Sequence, residues 1–173
     1  MNGNWAERDE RLVKLPDDDP EVVATYINLV YTNNIATSPT EKPMEKNAIL
    51  NEYIFLSKLY VLSEKLCDVA AKNAVINAIL AVSWERASDG VTYSPGVLPI
   101  AIIYPGTPEG SLARELMADM WTSVKTDYIV RHKESLPRDF FIDLALAHSK
   151  DRPTDKLSAA RRAKADRYLE KTE

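Results

Sequence analysis

Two histidines, one cysteine and a run of three aspartates are the first side chains to weigh for chemistry in this sequence of 173 residues. His132 and His148 fall on different predicted segments, with no cysteine or acidic partner at ligand spacing, so they read as surface or loop residues rather than metal ligands. Asp17, Asp18 and Asp19 could hold a hard cation through carboxylate oxygens. A helix starting at Pro20 uses the same residues as N-cap and first-turn charge, and that reading needs no metal. Cys67 sits among Leu66, Val69 and Ala70, where a buried thiol behaving as a small hydrophobe is expected rather than a nucleophile. The five glycines make neither a G-x-G-x-x-G nor a phosphate loop, and the sequence has no G-x-S-x-G and no H-E-x-x-H. The expectation is no catalytic residue, no cofactor and no metal: not an enzyme.

Recognition chemistry is the other possibility. Tyr26, Tyr31, Tyr53 and Tyr60 could stack on bases, but few basic residues are interleaved among them, and their helical spacing makes them core or interface residues. Arg161, Arg162, Lys164 and Arg167 form the one notable basic cluster, interrupted or followed by Asp166, Glu170 and Glu173, which reads as a solvated helix face. The net charge of −4 argues against nucleic-acid binding through bulk charge. A single cysteine excludes an internal disulfide framework and fits a reducing compartment. The polar start MNGNWAERDERL is unlike a signal peptide, and no apolar run approaches the ~20 residues of a membrane span. A cytoplasmic or nuclear protein is expected, with no membrane partner and no small-molecule substrate.

The elements that would position these residues are helices. The best specified stretch is Asn47–Ala81, two amphipathic helices with a break near Cys67 and Asp68. Ile49, Leu50, Tyr53, Ile54, Ser57, Tyr60, Val61 and Lys65 recur at three- and four-residue steps in the first. Val69, Ala70, Ala74, Ala78 and Val82 form a small-residue seam in the second, with Val75, Ile76 and Ile79 beside it, which points to a packed helical hairpin ending near Trp84. Before it, Arg11–Leu15 alternates like an edge strand. DDDPE then opens a helix with Val22, Val23, Tyr26, Ile27, Val30 and Tyr31 on one side, and Asn33 and Asn34 end it. Residues 85–96 are rich in turn formers and read as a linker. Val97–Tyr104 contains Pro99, which disfavours a central strand and favours a short helix broken by Pro105, Gly106 and Thr107. Thr107, Pro108 and Glu109 look like a helix start. They precede Leu112, Leu116, Met117, Met120, Trp121 and Val124, with Leu116, Met120 and Trp121 expected against the hairpin. Pro137 and Asp139 open a last helix through Phe140, Phe141, Leu144 and Ala145. The expected fold class is mainly α, α+β at most, with about seven helices and one or two short strands. It divides into residues 1–84, a linker at 85–96, a helical extension at 97–148 and a charged tail at 149–173.

The order of these elements resembles the C-terminal half of a BTB/POZ domain, in the fungal branch of that family. LPDDDPEVVATYINLVYTNNI matches an acidic-proline segment and a helix ending in a Tyr-Thr-Gly-like turn, here Tyr31, Thr32 and Asn33. Lys58–Leu66 matches a Lys-Leu-Tyr-x-Leu-Ala/Ser-x-Lys-Leu core, and Asn73–Ile79 an Asn-Ala-hydrophobic helix. Ile103–Trp121 and Leu136–Ala145 are similar to the helical extension behind fungal BTB domains. The likeness covers roughly residues 3 to 146, with Gly3–Glu7 resembling the segment just after the first family helix. The strand-bearing first half of the domain is expected to be absent from this chain.

The resemblance implies a protein-interaction module with a protein partner, self or heterologous, and recruitment to a cullin-type ubiquitin ligase. The positions carried over for that contact are Tyr31, Thr32, Asn33 and Asn34. A helix C-cap and turn explains the same four residues without a partner. The alternative is a transcription-associated regulator whose basic tail contacts nucleic acid, with affinity falling steeply in salt.

Overall fold

The computed structural model describes residues 18–35 and 43–150. The expected strand at Arg11–Leu15 lies outside the described residues, as does the charged tail expected at 149–173 except for residues 149 and 150, which end the last helix. Within them the chain is mainly helical, with seven α-helices and no strand. These are α1 (Pro20–Thr32), α2 (Lys46–Lys65), α3 (Val69–Trp84), α4 (Val97–Gly106), α5 (Leu112–Trp121), α6 (Thr126–His132) and α7 (Arg138–Lys150), with a 3₁₀ turn at Lys133–Ser135. α6 is an element the sequence reading left without a helix.

α2 and α3 form the expected hairpin, and its corner has a specific cause. Cys67 N–H reaches Glu64 C=O and Asp68 N–H reaches Ser63 C=O, the paired bonds of a Schellman ending, with Cys67 at φ +54°. Asp68 then caps α3 by accepting from Ala71 N–H at 3.0 Å. The seam of α3 is turned from the one expected. Ala71, Val75, Ile79 and Val82 are buried, Ala74 and Ala78 are half-buried, and Val69 and Ala70 face out. Val75, Ile79 and Val82 with Ala71 make the buried face, rather than Ala74 and Ala78, because the larger side chains remove more apolar surface from water.

α2 is buried on almost every side. Ile49, Tyr53, Leu56 and Leu59 are fully covered, and α1, α3 and α4 all pack on it. α4 comes closest at its end. A Cβ on Gly106 would stand 2.5 Å from a Val61 methyl carbon, so only glycine lets α4 lie there. The helix thus runs through Pro105 to Gly106 rather than breaking at them. Thr107 closes α4 instead of opening α5: its hydroxyl donates to Ile103 C=O at 2.7 Å, and Ser111 occupies the N-cap position of α5. The proline at 108 belongs to the turn between the two helices.

α5 packs chiefly on α7 and α4, not on the hairpin as expected. Its Trp121 stacks edge-on to Phe140 of α7 at 5.1 Å, and Phe140 meets Tyr104 of α4 edge-on at 5.6 Å. The Trp121 indole N–H donates to Pro95 C=O at 2.8 Å, and the Tyr53 hydroxyl of α2 donates to Tyr93 C=O at 2.9 Å. Residues of the 85–96 segment therefore bond to both the hairpin and α5. Ala87 is buried there, and Arg86 and Thr92 form an isolated antiparallel bridge. One apolar cluster contains residues of α1 through α5 and α7.

Candidate protein-interaction surface

α1 carries the four residues singled out from the sequence. Its start is fixed by Asp19, whose carboxylate accepts from Glu21 N–H at 3.1 Å, with Pro20 in the first helical position. Asp19 also accepts from Lys58 of α2 at 2.9 Å and Asp18 from Lys65 at 2.6 Å. The Lys58 ammonium is the main reason the Asp19 carboxyl titrates below its ordinary range. Tyr26 donates to Asp68 at 3.0 Å, joining α1 to the cap of α3. The Asp68 carboxyl is lowered, first by the Ala71 N–H and then by Tyr26, while the Tyr26 hydroxyl is raised by burial and by Asp68. With Val22 and Leu29 buried, these bonds set the roll of α1 on the hairpin.

That roll leaves an apolar facet outside. Ile27, Val30 and Tyr31 stand at three- and four-residue steps and are 50%, 55% and 85% exposed. The spacing puts all three on one side with Val22, Val23 and Tyr26, yet the structure divides that side: Val22 is buried with Leu29, and Ile27, Val30 and Tyr31 are exposed. α1 has apolar side chains around most of its circumference, so periodicity alone did not say which arc would find neighbours.

The turn that follows is exposed and well ordered by hydrogen bonds. Asn33 lies in the left-handed region at φ +53°, ψ +28°, with its N–H on Leu29 C=O at 2.8 Å. The Thr32 hydroxyl donates to Asn28 C=O at 2.7 Å and accepts from Asn34 N–H at 3.2 Å. Tyr31, Thr32, Asn33 and Asn34 are brought together as one exposed corner, and asparagine ends the helix as expected. Ile27 and Val30 extend this corner into a surface, and the sequence reading missed them as outward-facing.

The remaining candidates are distributed over other parts of the fold. Cys67 is exposed, contrary to the expected buried thiol, because the left-handed corner turns it outward. His132 lies on α6 with its ring 4.4 Å from that of Tyr128, and His148 is exposed on α7. Among the described residues, no group of three His, Cys, Asp or Glu side chains could hold a metal ion. Also among them, no helix is long and apolar enough to cross a membrane. The most buried cation, Arg114, has a structural task. Its guanidinium donates to Thr107 Oγ1 at 3.1 Å and to the carbonyls of Tyr104 and Thr107, satisfying the end of α4. It also lies over the Tyr104 ring, whose hydroxyl donates to Asp143 at 2.8 Å. A groove of about 470 Å³ between α5 and α7 lies beside it, lined by cations and carboxylates together, with Lys150 paired to Glu115.

No family model, curated protein or solved structure matches this chain.

Proposed function

We propose that the chain is a non-enzymatic protein-interaction module of BTB/POZ type that binds through the outer face of α1 and the turn after it. The observation that carries this reading is the facet of Ile27, Val30 and Tyr31, which continues into the corner at Thr32–Asn34. A contiguous apolar facet costs free energy in water and becomes useful when a partner covers it. Tyrosine suits the role, since it offers a large rigid contact area and a polar tip at low entropic cost. The salt bridges and the Tyr26–Asp68 bond hold the opposite side of α1, so the facet is presented by a fixed helix. The partner we put forward is the scaffold of a cullin-type ubiquitin ligase, which makes the chain an adaptor.

Calorimetric titration of the full chain with the purified N-terminal domain of a cullin tests the proposal. One-to-one binding is expected, weakened about tenfold or more by Tyr31→Ala and abolished by Ile27→Asp combined with Tyr31→Ala. Both variants should keep the parent melting temperature, since neither side chain is in the core. Equal affinity of the parent and the double variant would remove α1 from the interface. Absence of binding would remove the cullin, leaving sedimentation of the same two proteins to decide whether the facet joins two copies of the chain.

A further inference from the structure

On a different part of the molecule, two hollows of about 480 and 560 Å³ adjoin between the start of α2, the residues before α4, and α6. They share Leu50, Gly96 and Tyr128 as lining, and their sizes are those of ligand-binding clefts. Their chemistry differs. The first is lined by Leu50, Ile54, Leu98 and Pro99, with the amides of Asn47 and Asn51 one helical turn apart along its edge. The second carries Lys46 and Lys125 with the hydroxyl groups of Thr92, Ser94 and Ser123. Among the described residues, none lining either hollow is acidic.

The cations are the more significant because one of them is held in place. Lys46 Nζ lies 5.1 Å from the centre of the Tyr93 ring. Tyr93 is anchored in turn, its hydroxyl donating to Asp89 and its carbonyl accepting from Tyr53. The Asp89 carboxyl is held low by that hydroxyl, by Val91 N–H and by the nearby Lys46 ammonium, while Asp89 itself lies outside the lining. A protein of net charge −4 thus has a cleft whose charged lining is lysine, with His132 at the far end.

We propose that this double hollow binds a peptide segment in which an apolar side chain is followed closely by a carboxylate. The apolar side chain enters the Leu50–Ile54–Leu98 hollow. Its main chain passes the Asn47 and Asn51 amides, which can both donate and accept, and the carboxylate sits between Lys46 and Lys125. A nucleic acid fits less well, because Lys46 already occupies a face of the Tyr93 ring and two lysines neutralise few phosphates. The cleft shares no residue with the α1 facet, so the proposal stands apart from the reading of α1, and different variants test the two.

The test is a heteronuclear NMR titration of the full ¹⁵N-labelled chain with a blocked peptide of alternating leucine and glutamate. Parallel titrations use the same peptide with glutamine for glutamate, and a single-stranded oligothymidine. The amides of Gly96, Lys125 and Tyr128 should shift and saturate with the acidic peptide, and at least tenfold weaker binding is expected for the glutamine peptide. Lys46→Glu combined with Lys125→Glu should weaken the acidic peptide at least tenfold. These residues begin α2 and cap α6, where an acidic side chain favours the helix, so the variant should fold. Lys46→Gln with Lys125→Gln repeats the comparison without charge reversal. Equal binding of the two peptides, tighter binding of the oligonucleotide, or no shift at the lining residues would each overturn the proposal.

Discussion

α1 and α2 look alike as sequences, each rich in apolar residues and each carrying two tyrosines, yet the fold treats them in opposite ways. α2 is enclosed by α1, α3 and α4, and its Ile49, Tyr53, Leu56 and Leu59 have no exposed surface. Among the described residues α1 packs chiefly on α2 and α3, so Val22 and Leu29 are covered while Ile27, Val30 and Tyr31 are exposed. The difference lies in the number of neighbours a helix acquires, which its own periodicity does not contain. An apolar residue on α2 supports the fold; the same residue type on the outer arc of α1 is free to serve a partner.

A paired substitution should break this comparison most visibly. Val75→Asp places a carboxylate where α3 meets α2, at a position with no exposure, and should cost about 4 kcal/mol or more, enough to unfold the domain. Ile27→Asp makes a similar chemical change on α1 and should stay within about 0.5 kcal/mol of the parent. Urea denaturation followed by circular dichroism reads both; similar losses would show that α1 is enclosed after all.

The alkaline limb of stability sharpens the contrast further. Burial raises the Tyr53 hydroxyl well above its ordinary range, and burial with the Asp143 hydrogen bond raises Tyr104. A hydroxyl raised on folding stabilises fully below its unfolded pKa of about 10, and that contribution falls as pH climbs from there towards the folded value. The urea midpoint of the parent should therefore decline between about pH 9 and pH 11. Tyr53→Phe should lose about 1 kcal/mol at neutral pH, with its bond to Tyr93 C=O, and show a shallower decline.

The two helix endings offer the smallest effect. Both Cys67 and Asn33 adopt left-handed backbone, but asparagine tolerates it and cysteine does not. Cys67→Gly should raise stability by about 0.5–1 kcal/mol, read as a thermal midpoint a few degrees higher, with a smaller gain for Asn33→Gly. An unchanged or lower midpoint for Cys67→Gly would mean that the thiol makes contacts outweighing the strain.

Much of the architecture was legible before any coordinates. The α2–α3 pair, the break at Cys67 and Asp68, the short helix from Val97 and the last helix after Pro137 were marked by caps, prolines and apolar spacing. These are local signals, set by backbone sterics and by hydrogen bonds between residues close in the chain. The turn at Tyr31–Asn34 was legible for the same reason. The roll of each helix was not: Val75 and Ile79, expected beside the seam, form the buried face with Ala71 and Val82, and Thr107, expected both to end α4 and to open α5, only ends α4. Gly106 read as a breaker, though its role is to admit Val61, forty-five positions earlier in the chain.

By itself, then, the sequence determined that this protein is a set of helices, where most of them begin and end, and which corner follows α1. Local chemistry suffices for those decisions. Only the tertiary structure decided that Ile27, Val30 and Tyr31 face water, and that Lys46 and Lys125 line one cleft. Both depend on which distant surfaces meet, because burying the larger apolar area against α2 fixes the roll of its neighbours and leaves the remainder exposed.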